Sequence, residues 1–86
     1  MPPTLNIDPR LLPQGWTLPL YVDFYDCYIV YDRQFDEYGQ GAAIEEALSD
    51  YFDNLKIYYE IMSEQPVNEP TQQIADALKP HIEKLK

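Results

Sequence analysis

The sequence predicts an α+β domain: a three-stranded antiparallel meander packed on one long helix (β-β-β-α), with a proline-rich N-terminal arm and a short C-terminal helix. Three observations predict it. Apolar and polar residues alternate with period two from Trp16 onward, which is the pattern of half-buried strands. After Ala43 the apolar spacing changes to three and four, the pattern of one helical stripe. Prolines crowd both flanks of this block, where they interrupt regular structure. The 86 residues therefore divide into an arm over 1–14, a β-β-β-α domain over 15–64, and a linker with a C-terminal helix over 65–86.

Each element has its own signal. The arm holds Pro2, Pro3, Pro9 and Pro13, so little regular structure is expected there. Leu5, Ile7, Leu11 and Leu12 are apolar anchors that can tie it to the body. In Trp16–Phe24, Trp16, Leu18, Leu20, Val22 and Phe24 share one face, and Thr17, Pro19, Tyr21 and Asp23 share the other. Pro19 argues for an edge position. Tyr25-Asp26 makes a hairpin turn into a second strand, Cys27–Asp32, rich in β-formers. Asp32-Arg33-Gln34 turns again, and Phe35–Gly39 is a short third strand.

Ile44, Ala47, Leu48, Tyr51, Leu55, Tyr58 and Met62 form the helical stripe. Glu45, Glu46 and Asp50 stand in its first turns, where the helix dipole favours anions. The helix is expected to end near Ser63 or Glu64, ahead of Pro66 and Pro70. Thr71 is a candidate cap for the second helix, whose stripe is Ile74, Ala77 or Leu78, Ile82 and Leu85. Pro80 is expected to break or kink it past Lys79, leaving His81 in a fraying tail.

Charge is unevenly placed. Tyr21 to Glu64 carries eleven acids and two bases, Arg33 and Lys56, and so accounts for the whole net charge of −9. Such a surface repels nucleic acid phosphates, attracts basic partners, and also confers solubility. Direct nucleic-acid binding is therefore disfavoured. Cys27 has no second cysteine to pair with and reads as a packed thiol. The N-terminus shows no secretory pattern and no apolar run is long enough to span a membrane, which gives a cytoplasmic expectation and no membrane partner.

Gly39-x-Gly41 resembles a phosphate-binding loop only superficially. A P-loop needs a following Lys and Ser or Thr, and a dinucleotide loop needs a third glycine where Ile44 stands. The pair reads instead as the strand-to-helix joint, with glycine supplying positive φ and close approach. No catalytic set emerges, because the single histidine, His81, has no Ser or Cys partner arrangement, and Glu45 and Glu46 point to different azimuths. A non-enzymatic protein is expected, with no cofactor. Asp23, Asp26 and Asp32 lack the EF-hand spacing, so they read as solvated turn acids rather than a metal site. Tyr21, Tyr28 and Tyr38 are placed on the sheet's second face. Phe52, Ile57, Tyr59 and Ile61 lie off the main helical stripe. These groups are covered by the arm and trailing helix, or by a partner or second copy.

Residues Gly15 to Glu64 resemble the small HicB-like antitoxins of bacterial toxin–antitoxin systems. The residues that carry the resemblance are Tyr31-Asp32, Phe35, Tyr38-Gly39-x-Gly41 and Glu45-Glu46-Ala47-Leu48. The family's pattern is a meander strand followed by G-x-G-x-T-x-E-E-A-L at the helix start. Ala43 stands where that pattern has its capping Thr, and nothing after Glu64 reads as a ribbon-helix-helix or helix-turn-helix module. The resemblance implies a partial fold like that of double-stranded RNA-binding domains. It also implies neutralisation of a small basic ribonuclease toxin, without an evident DNA-binding module. Expected partner contacts are Tyr38, Glu46, Asp50 and Asp53. Alternatives are another acidic inhibitor, such as an immunity or anti-nuclease protein that mimics nucleic acid, and a structural or assembly protein that forms a homodimer or permanent complex.

Overall fold

A computed structural model describes residues 7–64 and 69–85. Its elements run in the predicted order: a 3-10 turn at Pro9–Leu11, strands β1 (Tyr21–Tyr25), β2 (Cys27–Tyr31) and β3 (Tyr38–Gly41), then helices α1 (Ile44–Glu64) and α2 (Glu69–Glu83). The three strands form one antiparallel sheet in the order β1-β2-β3. The fold is α+β, as the change of hydrophobic period predicts.

The sheet register fixes which side chains face the helices. Val22 pairs with Val30, and Val30 pairs with Gly39. Both valines are buried in one core with Ala47, Leu48, Tyr51 and Leu55 of α1 and Leu78 and Ile82 of α2. Side chains alternate across a strand, so the residues beside these on each strand belong to the opposite face.

Several boundaries differ from the sequence reading. The first strand begins at Tyr21 rather than Trp16. Pro19 cannot donate to a ladder, and the chain before it instead folds over the core, with Leu18 buried and the Trp16 indole N–H donating to the Leu18 carbonyl at 2.8 Å. Phe24 shares the helix-side face by register yet is exposed at the sheet's end, where it packs on Tyr28, ring centroids 5.0 Å apart. Tyr28 therefore belongs to the helix side and not to the second face. The hairpin turn falls where expected, with Asp26 at φ 64° between Tyr25 and Cys27.

The third strand lies at Tyr38–Gly41, so the two glycines are strand residues and not the joint after it. Neither has positive φ. Their role is close approach: a Cβ on Gly39 would fall 2.1 Å from the Tyr51 nitrogen, and one on Gly41 would fall 2.7 Å from the Ala47 nitrogen. The missing side chains let the α1 backbone rest directly on β3.

α1 ends at Glu64 as expected. Its start lacks a side-chain oxygen at Ala43. Glu46 reaches back past the helix start to accept the Ala42 N–H at 3.1 Å, which ties the preceding chain to the first turn.

α2 departs from the prediction twice. It begins at Glu69, so Pro70 occupies the first turn, where a missing N–H costs nothing, and Thr71 lies inside the helix. It also continues through Pro80 to Glu83. An interior proline costs about 3 kcal/mol. The turn beyond it is held by Ile82, which is buried against the core, and by the His81 ring between Trp16 and Phe35, centroids 5.4 and 6.2 Å away. His81 is thus a packed residue and not part of a frayed tail.

The arm is more ordered than its prolines suggested. Asp8 caps the 3-10 turn by accepting the Arg10 N–H at 2.9 Å and pairs with the Arg10 guanidinium at 2.7 Å. That side-chain pairing holds the Asp8 carboxyl below the usual carboxylate range. Ile7, Leu11 and Leu12 pack on the core as expected, while Leu5 and the other residues before Ile7 lie outside the described residues, as does Pro66. Among the described residues no helix is long and apolar enough to cross a membrane.

Candidate functional site

Three surfaces and one buried polar centre hold the chemistry-bearing residues. The buried centre joins β2, α1 and α2. Asp32 follows β2 and is only 2% exposed. Its Oδ2 accepts the Tyr51 hydroxyl at 2.7 Å, and its Oδ1 accepts the Phe35 N–H at 2.5 Å. Its own N–H donates to the Glu37 carbonyl at 3.1 Å, closing the β2–β3 loop.

Asp32 is therefore not the solvated turn acid that the sequence suggested. Its parity places it on the helix side, whereas Asp23 lies on the opposite face and Asp26 at the hairpin tip, so the three acids do not meet. Among the described residues no group of three potential metal-binding side chains forms. Burial first, then the hydrogen bond and charge of Asp32, raises the Tyr51 pKa well beyond the ordinary tyrosine range. Tyr51 is a fixed donor and not a titrating group.

His81 completes this centre. Its Nδ1 is buried with no hydrogen-bond partner among the described residues. Burial, then the Lys84 charge, lowers its pKa from the ordinary imidazole value, and Asp32 opposes them. The arrangement binds helix to sheet. The Tyr51 and Asp32 side chains are both sealed in the core.

The second region is the outer flank of α1 beside β3, where the expected partner contacts lie. Glu46 is held at the helix start as described above. Asp50 Oδ2 accepts the Gln40 N–H at 3.0 Å, and Asn54 Nδ2 donates to the Tyr38 carbonyl at 2.8 Å. β3 is an edge strand, and these two side chains occupy backbone groups that an added strand would use. Asp53 is exposed and lies 3.9 Å from Lys56, a weak surface pair. Tyr38 is 56% exposed. Sequence spacing could not show that Glu46 and Asp50 have intramolecular duties, because both bonds run from α1 to the backbone of the preceding chain.

The third region is the sheet face turned away from the helices. Tyr21 pairs with Tyr31, and Tyr31 pairs with Tyr38, so a row of tyrosines crosses all three strands. The Tyr21 and Tyr31 rings stack with centroids 5.5 Å apart and an interplanar angle of 27°. The Arg33 guanidinium carbon lies 4.3 Å from the Tyr21 ring centroid. The next row is Asp23, Ile29 and Gln40, followed by Tyr25 and Cys27. Tyr21 and Tyr38 were legible as second-face residues from alternation. Tyr31 was missed in that role, although the same alternation signals it. Cys27 is half-buried on this open face and does not belong to the core.

The fourth region is the flank of α1 away from the sheet. Phe52 is covered: its ring stands edge-on to Trp16 at 5.3 Å. Tyr59 also packs against the core cluster. Ile57 and Ile61, one turn apart, remain 52% and 46% exposed. The trailing helix and the arm therefore account for part of the apolar surface that the sequence left uncovered.

Comparison with family models, with curated proteins and with solved structures finds no match.

Proposed function

We propose that this chain is a non-enzymatic, acidic protein-binding module of the cytoplasm that neutralises a small basic ribonuclease, in the manner of HicB-like antitoxins. The observation that carries the proposal is the distribution of acids on the folded body. Of the eleven acids between Tyr21 and Glu64 only Asp32 is buried, and the others stand at the surface around exposed aromatic side chains. A ribonuclease binds phosphates through a basic surface, and a rigid array of carboxylates competes for that surface. Asp53 and Tyr38, both exposed, are the contacts best placed for this. Glu46 and Asp50 contribute charge while they hold the helix start and the β3 edge.

The proposal expects a basic ribonuclease to be encoded beside this chain, and the test is to mix the two purified proteins and follow RNA cleavage. Cleavage is expected to fall to background at equimolar ratio, and binding to weaken steeply as salt rises. Full cleavage in the presence of excess chain, at low salt, refutes the proposal.

A second reading is a self-associating assembly protein, favoured by the exposed Ile57 and Ile61 pair. It predicts a dimer by sedimentation equilibrium that Ile57→Asp converts to monomer, with no effect on any nuclease.

A further inference from the structure

We propose that the docking surface is the open sheet face, centred on the Tyr21–Tyr31–Tyr38 row, and that its occupant is an arginine-bearing surface segment of a basic protein. The inference rests on the acidic-binding function proposed above and moves the principal contact from the helix to the sheet.

Four observations converge. First, the core residues Val22, Val30 and Gly39 all face the α1 side, which leaves the opposite face to its own side chains. Second, that face is aromatic along its whole width, with Tyr21 stacked on Tyr31 and Tyr38 exposed at the far strand. Third, it already holds one guanidinium: Arg33 lies over Tyr21 at 4.3 Å, so the row accepts the group it is proposed to recognise. Arginine is suited to such a row because its planar guanidinium stacks on rings and still directs hydrogen bonds to carboxylates. Asp23, in the adjacent row opposite Ile29, supplies the carboxylate.

Fourth, charge selects among the occupants. The segment from Tyr21 to Glu64, loops included, carries the entire net charge of −9, so a second copy would bring two strongly acidic bodies together, whereas a basic protein neutralises one. Nucleobases stack on tyrosine rows too, but the same acids repel their phosphates. Strand addition at β3 is opposed because Asp50 and Asn54 occupy its Gln40 N–H and Tyr38 carbonyl. A partner therefore meets the face rather than that edge.

The experiment is amide chemical-shift mapping of the full ¹⁵N-labelled chain, titrated separately with hexa-arginine, hexa-lysine and a single-stranded oligouridylate. Hexa-arginine is expected to bind more tightly than hexa-lysine and to shift the amides of Tyr21, Ile29, Tyr31 and Gln40. Tyr38→Ala, at the exposed end of the row, is expected to weaken hexa-arginine binding by roughly three- to tenfold. Gln73→Ala, at an exposed position of α2 outside the row, is expected to leave it unchanged. The amide spectra of both variants report whether the fold is intact.

Shifts confined to Asp53, Glu60 and their helical neighbours overturn the sheet-face assignment and leave the acidic-binding function standing. Tighter binding of oligouridylate at the row replaces the proposed occupant by nucleic acid. A dimer of the free chain with these amides protected replaces it by a second copy. Absence of binding to hexa-arginine overturns the proposal, while the ribonuclease assay decides the wider function independently.

Discussion

Replacing Gly39 by alanine tests the central packing claim, that α1 lies directly on β3 because two strand residues have no side chain. The added Cβ would sit 2.1 Å from the Tyr51 nitrogen and 2.6 Å from both the Ala47 oxygen and the Tyr51 Cα. Favourable non-bonded separation is about 3.5–4.0 Å, so the shortfall is about 1.4 Å or more against the Tyr51 nitrogen and about 0.9 Å or more against the other two backbone atoms. Backbone cannot swing aside as a flexible side chain can. The helix must lift or the strand must bend, and either motion opens the core around Tyr51 and Leu55. Overpacking of this kind costs about 1–3 kcal/mol, and a backbone overlap belongs at the upper end. A domain of this length has a total stability of roughly 4–13 kcal/mol, so the loss is a large share of it.

Urea unfolding followed by Trp16 fluorescence is the assay, since the indole packs against Phe52 and His81. With a slope of about 1–1.5 kcal/mol per molar, a loss of about 3 kcal/mol lowers the midpoint by roughly 2–3 M. Gln40→Ala, on the neighbouring exposed residue, is the control and is expected to stay within about 0.5 kcal/mol of the parent. A Gly39→Ala midpoint indistinguishable from that of Gln40→Ala would refute the close-approach account of these glycines.

Two further predictions follow from the buried polar centre. Tyr51→Phe removes one of the two donors to the buried Asp32 carboxyl and is expected to cost about 1–3 kcal/mol. Removing Asp32 as well is expected to cost less than the sum of the single changes, and strict additivity in the double-mutant cycle would contradict the pairing. His81, whose pKa is lowered in the folded state chiefly by burial, adds stability that is full above its unfolded value of about 6.5 and is lost as pH falls through the lower folded value. The unfolding midpoint is therefore expected to drop between pH 7.5 and pH 5.5, and His81→Phe to flatten that drop. An equal drop in the variant would remove His81 as its cause.

How much of the molecule was legible varied with the range of the interaction. Period-two alternation placed Val22 on the core face, and the three-and-four spacing placed Ala47, Leu48, Tyr51 and Leu55 there, whereas Val30 was not assigned and Tyr28, on the same face, was put on the wrong side. Those patterns are local consequences of burying one face of a strand or helix. Strand ends were less legible. Phe35–Gly39 reads as a strand by composition, yet β3 runs Tyr38–Gly41, because Asp32 gathers the Phe35 N–H and so forms the loop first. Pro80 misled because its local penalty is visible in sequence while the packing of His81 and Ile82 is not.

The candidate surface was legible in the same partial way. Alternation showed Tyr21 and Tyr38 on the second face, and charge counting showed the acidic body. It could not show that Asp50 would be spent on the β3 edge, since a carboxylate on a helix looks solvated until a strand is placed beside it.

The sequence by itself determined the α+β class, the order of elements, the apolar stripes and the concentration of negative charge between Tyr21 and Glu64. All of these follow from composition and from the two geometric periods of the backbone. Only the tertiary structure decided that Gly39 and Gly41 serve contact and not a turn, that Asp32 is buried against Tyr51, that α2 passes through Pro80, and that three tyrosines from three strands align in one row. Each of those depends on which residues meet across the chain, and that is set by the packing of whole elements, where a helix–sheet contact outweighs the local preference of any single residue.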